Sequence, residues 1–134
     1  MALTLGKSTY LANAQLNYTF GGSAFTPPSN YYLGLFTSIS PTETEVSAPE
    51  YTRAELPNTA LNMPVTVNGE KFLTSVDVQF TEPLTNWGTI THFVLFDAPT
   101  GGNVFYVGEF DTPIIINTGV ILNIKSGRLK IVSN

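Results

Sequence analysis

The sequence predicts an all-β chain: a single β-sandwich or barrel-like domain over 1–134, with one short N-terminal helix. Three observations lead there. Short apolar segments alternate with turn-forming residues from position 31 to the end. Only one stretch carries helical spacing. The length of 134 residues fits one ordinary domain, and folding at that size buries roughly two-thirds of the extended-chain surface, enough for a core without staples.

The elements follow in order. Residues 1–7 lack a core-forming pattern and read as a flexible N-terminal arm. Ser8 can cap a helix, with Leu11, Ala14, Gln15 and Tyr18 on one face. Gly21-Gly22 supplies a left-handed exit, and Pro27-Pro28 then holds Thr26 extended. Residues 31–36 form an aromatic and aliphatic strand. The connection at 37–50, with Pro41, Pro49, Glu43, Glu45 and Glu50, reads as a long flexible loop.

In 76–80, Val76, Val78 and Phe80 share one face by alternation. Residues 89–96 are apolar on both faces, Ile90, Val94 and Phe96 on one and Phe93 and Leu95 on the other, which predicts a central strand. Pro99 and Gly101-Gly102 mark a hairpin connection into a strand at 104–110. Strands at 114–116 and 120–124 flank Asn117-Thr118-Gly119, a turn with glycine at the left-handed position. A last strand covers 129–132. There is no repeat of 20–50 residues and no heptad run.

Hydrophobic residues make up 43 % of the chain and charged residues 12 %, against roughly 25 % charged in ordinary domains. Such a chain is not disordered, and its hydroxyl- and amide-rich exterior suits contact with other protein. A net charge of −4 argues against nucleic acid as a partner, since a nucleic-acid binder needs a basic face. Absence of cysteine excludes disulfides and thiolate metal sites. No apolar run matches a membrane span, and the first residues lack the apolar core of a signal peptide.

The residues offer no catalytic constellation. Gly22-Ser23-Ala24 does not meet the Gly-x-Ser-x-Gly pattern of a nucleophile elbow. The one histidine, His92, lies between Thr91 and Phe93 in an apolar strand, where a hydrogen-bonded packing role is the ordinary one. Glu50, Asp97, Glu109 and Asp111 are the carboxylates a glycosidase pair would draw on. Glu109 and Asp111 instead fit a solvated edge, and Asp97 a turn cap. Trp87, Tyr31 and Tyr32 suit a sugar-stacking platform or, more simply, a core. No metal or cofactor is expected, and the chain reads as a non-enzyme.

Charge is uneven at one place. Lys125, Arg128 and Lys130 are half of the six basic residues, opposed by the acidic loop at Glu43, Glu45 and Glu50. These six are the candidate partner-contact residues, since one subunit's basic edge can dock on a neighbour's acidic loop.

Four segments resemble a family of small tailed-phage virion proteins, labelled tail fibre proteins and sometimes head decoration or cement proteins. They are Phe20-Gly21-Gly22-Ser23-Ala24-Phe25-Thr26-Pro27-Pro28 with Tyr32-Leu33-Gly34-Leu35 and Pro41-Thr42-Glu43; Tyr51-Thr52-Arg53; Trp87-Gly88-Thr89-Ile90-Thr91-His92-Phe93 running through Phe96-Asp97-Ala98 to Thr100-Gly101-Gly102-Asn103; and Gly127-x-Leu129-x-Ile131. The chain departs from that pattern at 45–50 and 68–75. The resemblance implies a structural role in the virion, assembled in the host bacterial cytoplasm, and carries no catalytic residues. A capsid decoration or cement protein on the outside of the head shell is the first expectation. Its partners are then the major capsid protein and copies of itself, as a homotrimer. A tail fibre or tail-tip adaptor protein is the alternative, and a carbohydrate-binding module the second.

Overall fold

Strand β2 (Asn30–Ser38) and strand β7 (Gly88–Phe96) lie side by side at the centre of the protein, because both are apolar on two faces. The computed structural model describes residues 3, 5–58, 70–73, 77–124 and 129–132, the segments 70–73 and 129–132 by backbone alone. Around the central pair the chain runs β1 (Gly6–Lys7), α1 (Thr9–Gly21), β2, β3 (Thr44–Glu45), β4 (Ala54–Pro57), β5 (Glu70–Leu73), β6 (Val78–Gln79), β7, β8 (Val104–Ile116), β9 (Asn123–Ile124) and β10 (Leu129–Val132). The main antiparallel sheet has the order β1-β8-β7-β2-β3, and β4 pairs with β2 further along the edge that β3 occupies. Two small pairs, β10 with β5 and β6 with β9, complete an all-β architecture.

Each face of the main sheet carries its own apolar cluster. Leu33, Leu35, Phe93, Leu95, Phe105 and Ile116 pack with Val78, Phe80, Trp87 and Ile124 on one. Phe36, Val94, Phe96 and Val107 pack with Ile39 on the other. The five residues expected to be buried on β7, namely Ile90, Phe93, Val94, Leu95 and Phe96, are all buried. Ile90, however, joins the cluster of Phe93 and Leu95, not that of Val94 and Phe96. A register shift between Ile90 and His92 breaks the alternation that put Ile90 on the other side. The segments 104–110 and 114–116 are one strand, β8, which carries the extra residues of that shift through Pro113.

The helix begins and ends as its sequence predicts. Ser8 Oγ accepts the Leu11 N–H at 3.0 Å, and Gly22 closes the helix in the left-handed conformation. Its apolar residues are spread around the cylinder, so it covers little: no helix residue is buried, and the Tyr10 and Phe105 rings lie tilted to one another with centroids 5.5 Å apart. In the expected N-terminal arm, Gly6 and Lys7 pair with Val107 and Tyr106, and the Leu3 N–H reaches the Ile39 carbonyl at 2.8 Å. Gly119 takes its positive φ, but the chain beyond it does not fold back on β8. Only Asn123 and Ile124 form a strand there, and they pair with Gln79 and Val78. Val76 lies outside the described residues.

Candidate functional site

Arg53 organises a dense polar arrangement among the described residues. Immediately before β4, its Nε and Nη2 donate to the two carboxylate oxygens of Glu45 on β3, each at 2.9 Å. Its Nη1 donates to the carbonyls of Ala98 and Gly101, also at 2.9 Å, and its guanidinium lies 3.4 Å above the centre of the Phe96 ring. One planar fork therefore joins β3, the segment just before β4, the end of β7 and the β7–β8 hairpin. A lysine could supply neither the paired geometry nor the flat stack.

Glu45 also accepts the Tyr51 hydroxyl at 2.8 Å, and that hydroxyl accepts the Leu35 N–H at 2.9 Å. Burial and the nearby Glu45 charge raise the Tyr51 phenol well above its ordinary value, so it stays a donor at any physiological pH. Gly34 makes the approach possible, since a Cβ there would stand 2.8 Å from Glu45 Oε2 and 3.1 Å from Phe96. The Tyr51 ring meets Trp87 edge-on at 5.3 Å. Trp87 in turn donates its indole N–H to Glu50 Oε2 at 2.7 Å, and the same oxygen accepts the Leu84 and Thr85 N–H groups at 2.9 and 3.3 Å. These donors, the indole foremost, hold the Glu50 carboxyl down at about 2.

The hairpin that Arg53 grips is itself pinned. Asp97 accepts the Asn103 N–H at 2.7 Å and its side-chain amide at 3.0 Å. Gly102 has φ +80°, and a Cβ there would collide with Asp97 and Ala98. Asp97 is thus a turn cap. Trp87 is buried, as a core aromatic is and a sugar platform is not.

A family model described as "Podophage GP4 fiber I protein gp80" matches residues 6–132. The chain belongs to this phage fibre family. None of the curated proteins matches it. The family is one of structural proteins of the virion and not a family of enzymes.

Two of the four sequence segments that resemble virion proteins meet in the Arg53 arrangement: Tyr51-Thr52-Arg53 and the segment that runs from Trp87 to Asn103. Their side chains hold loops to one another. Of the candidate contact residues, Glu43 is exposed, whereas Glu45 and Glu50 point into the chain and are engaged there. Lys125 and Arg128 lie outside the described residues, and Lys130 sits on β10, which is described by backbone alone. The sequence reading missed the Arg53–Glu45 pair. Its signal was present: in a chain with so few charges, a Tyr-x-Arg step flanking a strand places both side chains on one face.

Elsewhere, Glu109 and Asp111 line an open recess of about 300 Å³ with Thr91, Phe110 and Pro113, where β8 carries its register shift. His92 lies beside it, its Nδ1 2.7 Å from Thr91 Oγ1 and its Nε2 3.8 Å from Glu109. Among the described residues no cluster of His, Asp and Glu could hold a metal ion, and no helix is long and apolar enough to cross a membrane.

Proposed function

We propose that this chain is a non-enzymatic structural subunit of the fibre of a tailed phage, acting through its surface contacts with other virion proteins and with copies of itself. The match to a fibre protein family over residues 6–132 carries this reading and ranks it above the head-decoration expectation. The geometry supports it: the motif residues serve as internal ties, which is what a load-transmitting module needs from its few charged groups. The major capsid protein as partner, and a trimer set by the symmetry of the head lattice, go with the decoration reading.

The test is position and copy number. A tagged chain carried into virions should be found by cryo-electron microscopy or gold labelling on the tail side, in few copies. Density distributed over the capsid lattice at high copy number would overturn the fibre reading and restore head decoration. For the non-enzyme part, purified protein incubated with peptidoglycan or host polysaccharide should release no reducing ends. Release that is lost in Glu109→Gln or Asp111→Asn would refute it.

A further inference from the structure

Among the described residues, β1 and α1 are held to the rest of the protein by few contacts. The helix buries none of its residues. It meets the body at Tyr10, beside the Phe105 ring, and at Leu11, which packs partly against the core. β1 adds its two pairs, Gly6 with Val107 and Lys7 with Tyr106, and the Ser8 N–H donates to the Phe105 carbonyl at 3.0 Å. Leu3 reaches Ile39 through one backbone bond, and the β10 backbone lies close to β1. Lys7 Nζ donates to Gln15 Oε1 at 3.0 Å, so strand and helix are joined to each other as well as to the sheet.

The connection to β2 gives this segment reach. Residues 22–29 form no helix or strand, and all but Phe25 and Pro28 are exposed. Phe25 rests beside Phe105, with ring centroids 6.5 Å apart. The firm anchor comes at Pro28 and Ser29, whose carbonyls accept the Asn58 side-chain amide at 3.0 Å and its backbone N–H at 2.9 Å. Fully extended, those eight residues span roughly 26–29 Å, enough to carry α1 onto an adjacent subunit.

What the segment covers is the receptive part of a sheet edge. β1 lies on the outer side of β8 at Tyr106 and Val107, where β8 carries neither charge nor proline and where Phe105 and Val107 are buried. Farther along β8, Glu109, Asp111 and Pro113 stand at alternate positions. Charges and proline are what keep a strand edge from pairing with another chain. The edge is thus guarded beyond β1 and unguarded beneath it, so β8 needs a strand at that place.

We infer that this strand is exchangeable between copies of the chain: β1 and α1 of one subunit seat on the β8 edge of another, Gly6 on Val107 and Lys7 on Tyr106. Such an exchange keeps every contact and changes only the chain that supplies it, so concentration sets the balance. A short flexible linker holds its own arm at an effective concentration on the order of 1 mM, and a second copy competes once copies are packed comparably. The inference deepens the proposed contact between copies and rests on that reading for the crowding alone. The experiment supplies crowding in solution, so its failure is distinct from a failure of the fibre reading.

The chain has no cysteine, which makes introduced thiols a clean reporter. Because Ser8 bonds to Phe105, Lys7 and Tyr106 form the adjoining non-hydrogen-bonded pair, with Cα atoms roughly 4.5 Å apart, within disulfide reach. Lys7→Cys/Tyr106→Cys should close an internal disulfide at about 10 µM, far below the effective concentration of its own arm. The single variants Lys7→Cys and Tyr106→Cys, mixed at about 1 mM and oxidised, should link position 7 of one chain to position 106 of the other. That link, identified by peptide mass spectrometry, should exceed by about tenfold the links between two copies of position 7, which report chance collision. A 7-to-106 link no more abundant than chance overturns the inference, and so does a folded double variant whose internal bond stays open. Should Tyr106→Cys fail to fold by circular dichroism, Lys7→p-benzoylphenylalanine replaces the pair. Mixed with isotope-labelled wild type at the same concentration, it should photo-crosslink to residues 104–107 of the labelled chain, and crosslinks confined to the unlabelled chain overturn the inference.

Discussion

Arg53→Ala should be among the most damaging substitutions outside the apolar core. The guanidinium makes four directed bonds at 2.9 Å and stacks on Phe96. Charge-assisted bonds contribute ~1.5–3 kcal/mol each when taken singly, but they share one side chain and do not add. The larger effect is what remains behind. The Arg53 side chain is 8 % exposed and Glu45 22 %, so truncation strands a mostly enclosed carboxylate whose one other donor is Tyr51. Breaking such a pair costs ~3–5 kcal/mol, and because Glu45 keeps some access to water the lower end, ~3 kcal/mol, is expected. Removing the carboxylate as well should recover part of the loss: Arg53→Ala/Glu45→Ala should be more stable than the sum of the single changes by ~1–3 kcal/mol. Urea unfolding followed by Trp87 fluorescence and by circular dichroism gives both numbers, provided the slope with urea is unchanged. A loss below ~1 kcal/mol would place Arg53 with ordinary surface ion pairs and refute the reasoning.

Acid should weaken the protein through Glu50. Its folded carboxyl is lowered to about 2 from an ordinary 4.5, so the unfolded chain takes up the proton first as pH falls. That contribution is intact above pH 4.5 and lost as pH drops through about 2; Glu50→Gln should flatten this part of the urea midpoint's dependence on pH. Phe93→Ala should cost ~3–5 kcal/mol in the same assay, since Phe93 is buried against Tyr106 and Phe110. Gly108→Ala should cost ~1–3 kcal/mol despite adding one methyl group, because its Cβ would overlap the Phe93 ring; a neutral effect would mean that the ring can move aside.

How far the sequence disclosed this structure depended on the range of the interactions involved. Helix ends are local: Ser8 and Gly22 act on neighbouring backbone, and both are where the sequence puts them. The central strand was legible because apolar residues on both faces leave it nowhere but the middle. The phase of Ile90 was not, since the shift that moves it originates in the residues of β8 opposite, more than fifteen positions away. For the same reason Pro113 reads as a break when the strand runs through it. The connection at 37–50 looks unstructured by composition, yet Glu45 and Glu50 are held by Arg53 and Trp87, partners eight and thirty-seven residues distant. Acidic residues in a Pro-containing loop look solvated until the residues that receive them are placed.

That misreading bears on how copies of the chain meet. The sequence offers an electrostatic contact, with Lys125, Arg128 and Lys130 of one subunit on Glu43, Glu45 and Glu50 of the next. The structure has already committed Glu45 and Glu50 to internal donors, leaving Glu43 as the exposed acid of the three. Undoing those bonds to free the carboxylates would cost more than a solvent-exposed ion pair returns, ~0–1 kcal/mol. Exposed apolar side chains such as Phe20 and Leu84 have no such prior commitment, and any attraction between them comes from apolar area. Salt separates the two mechanisms. Raising ionic strength from about 0.05 M to 0.5 M shortens the screening length more than threefold and weakens a contact built on several exposed charge pairs. A contact between apolar patches is unaffected or slightly strengthened under the same change. The association constant of the wild-type chain, measured by sedimentation across that range, should therefore hold within about twofold. A tenfold fall would return the contact to the charged edges.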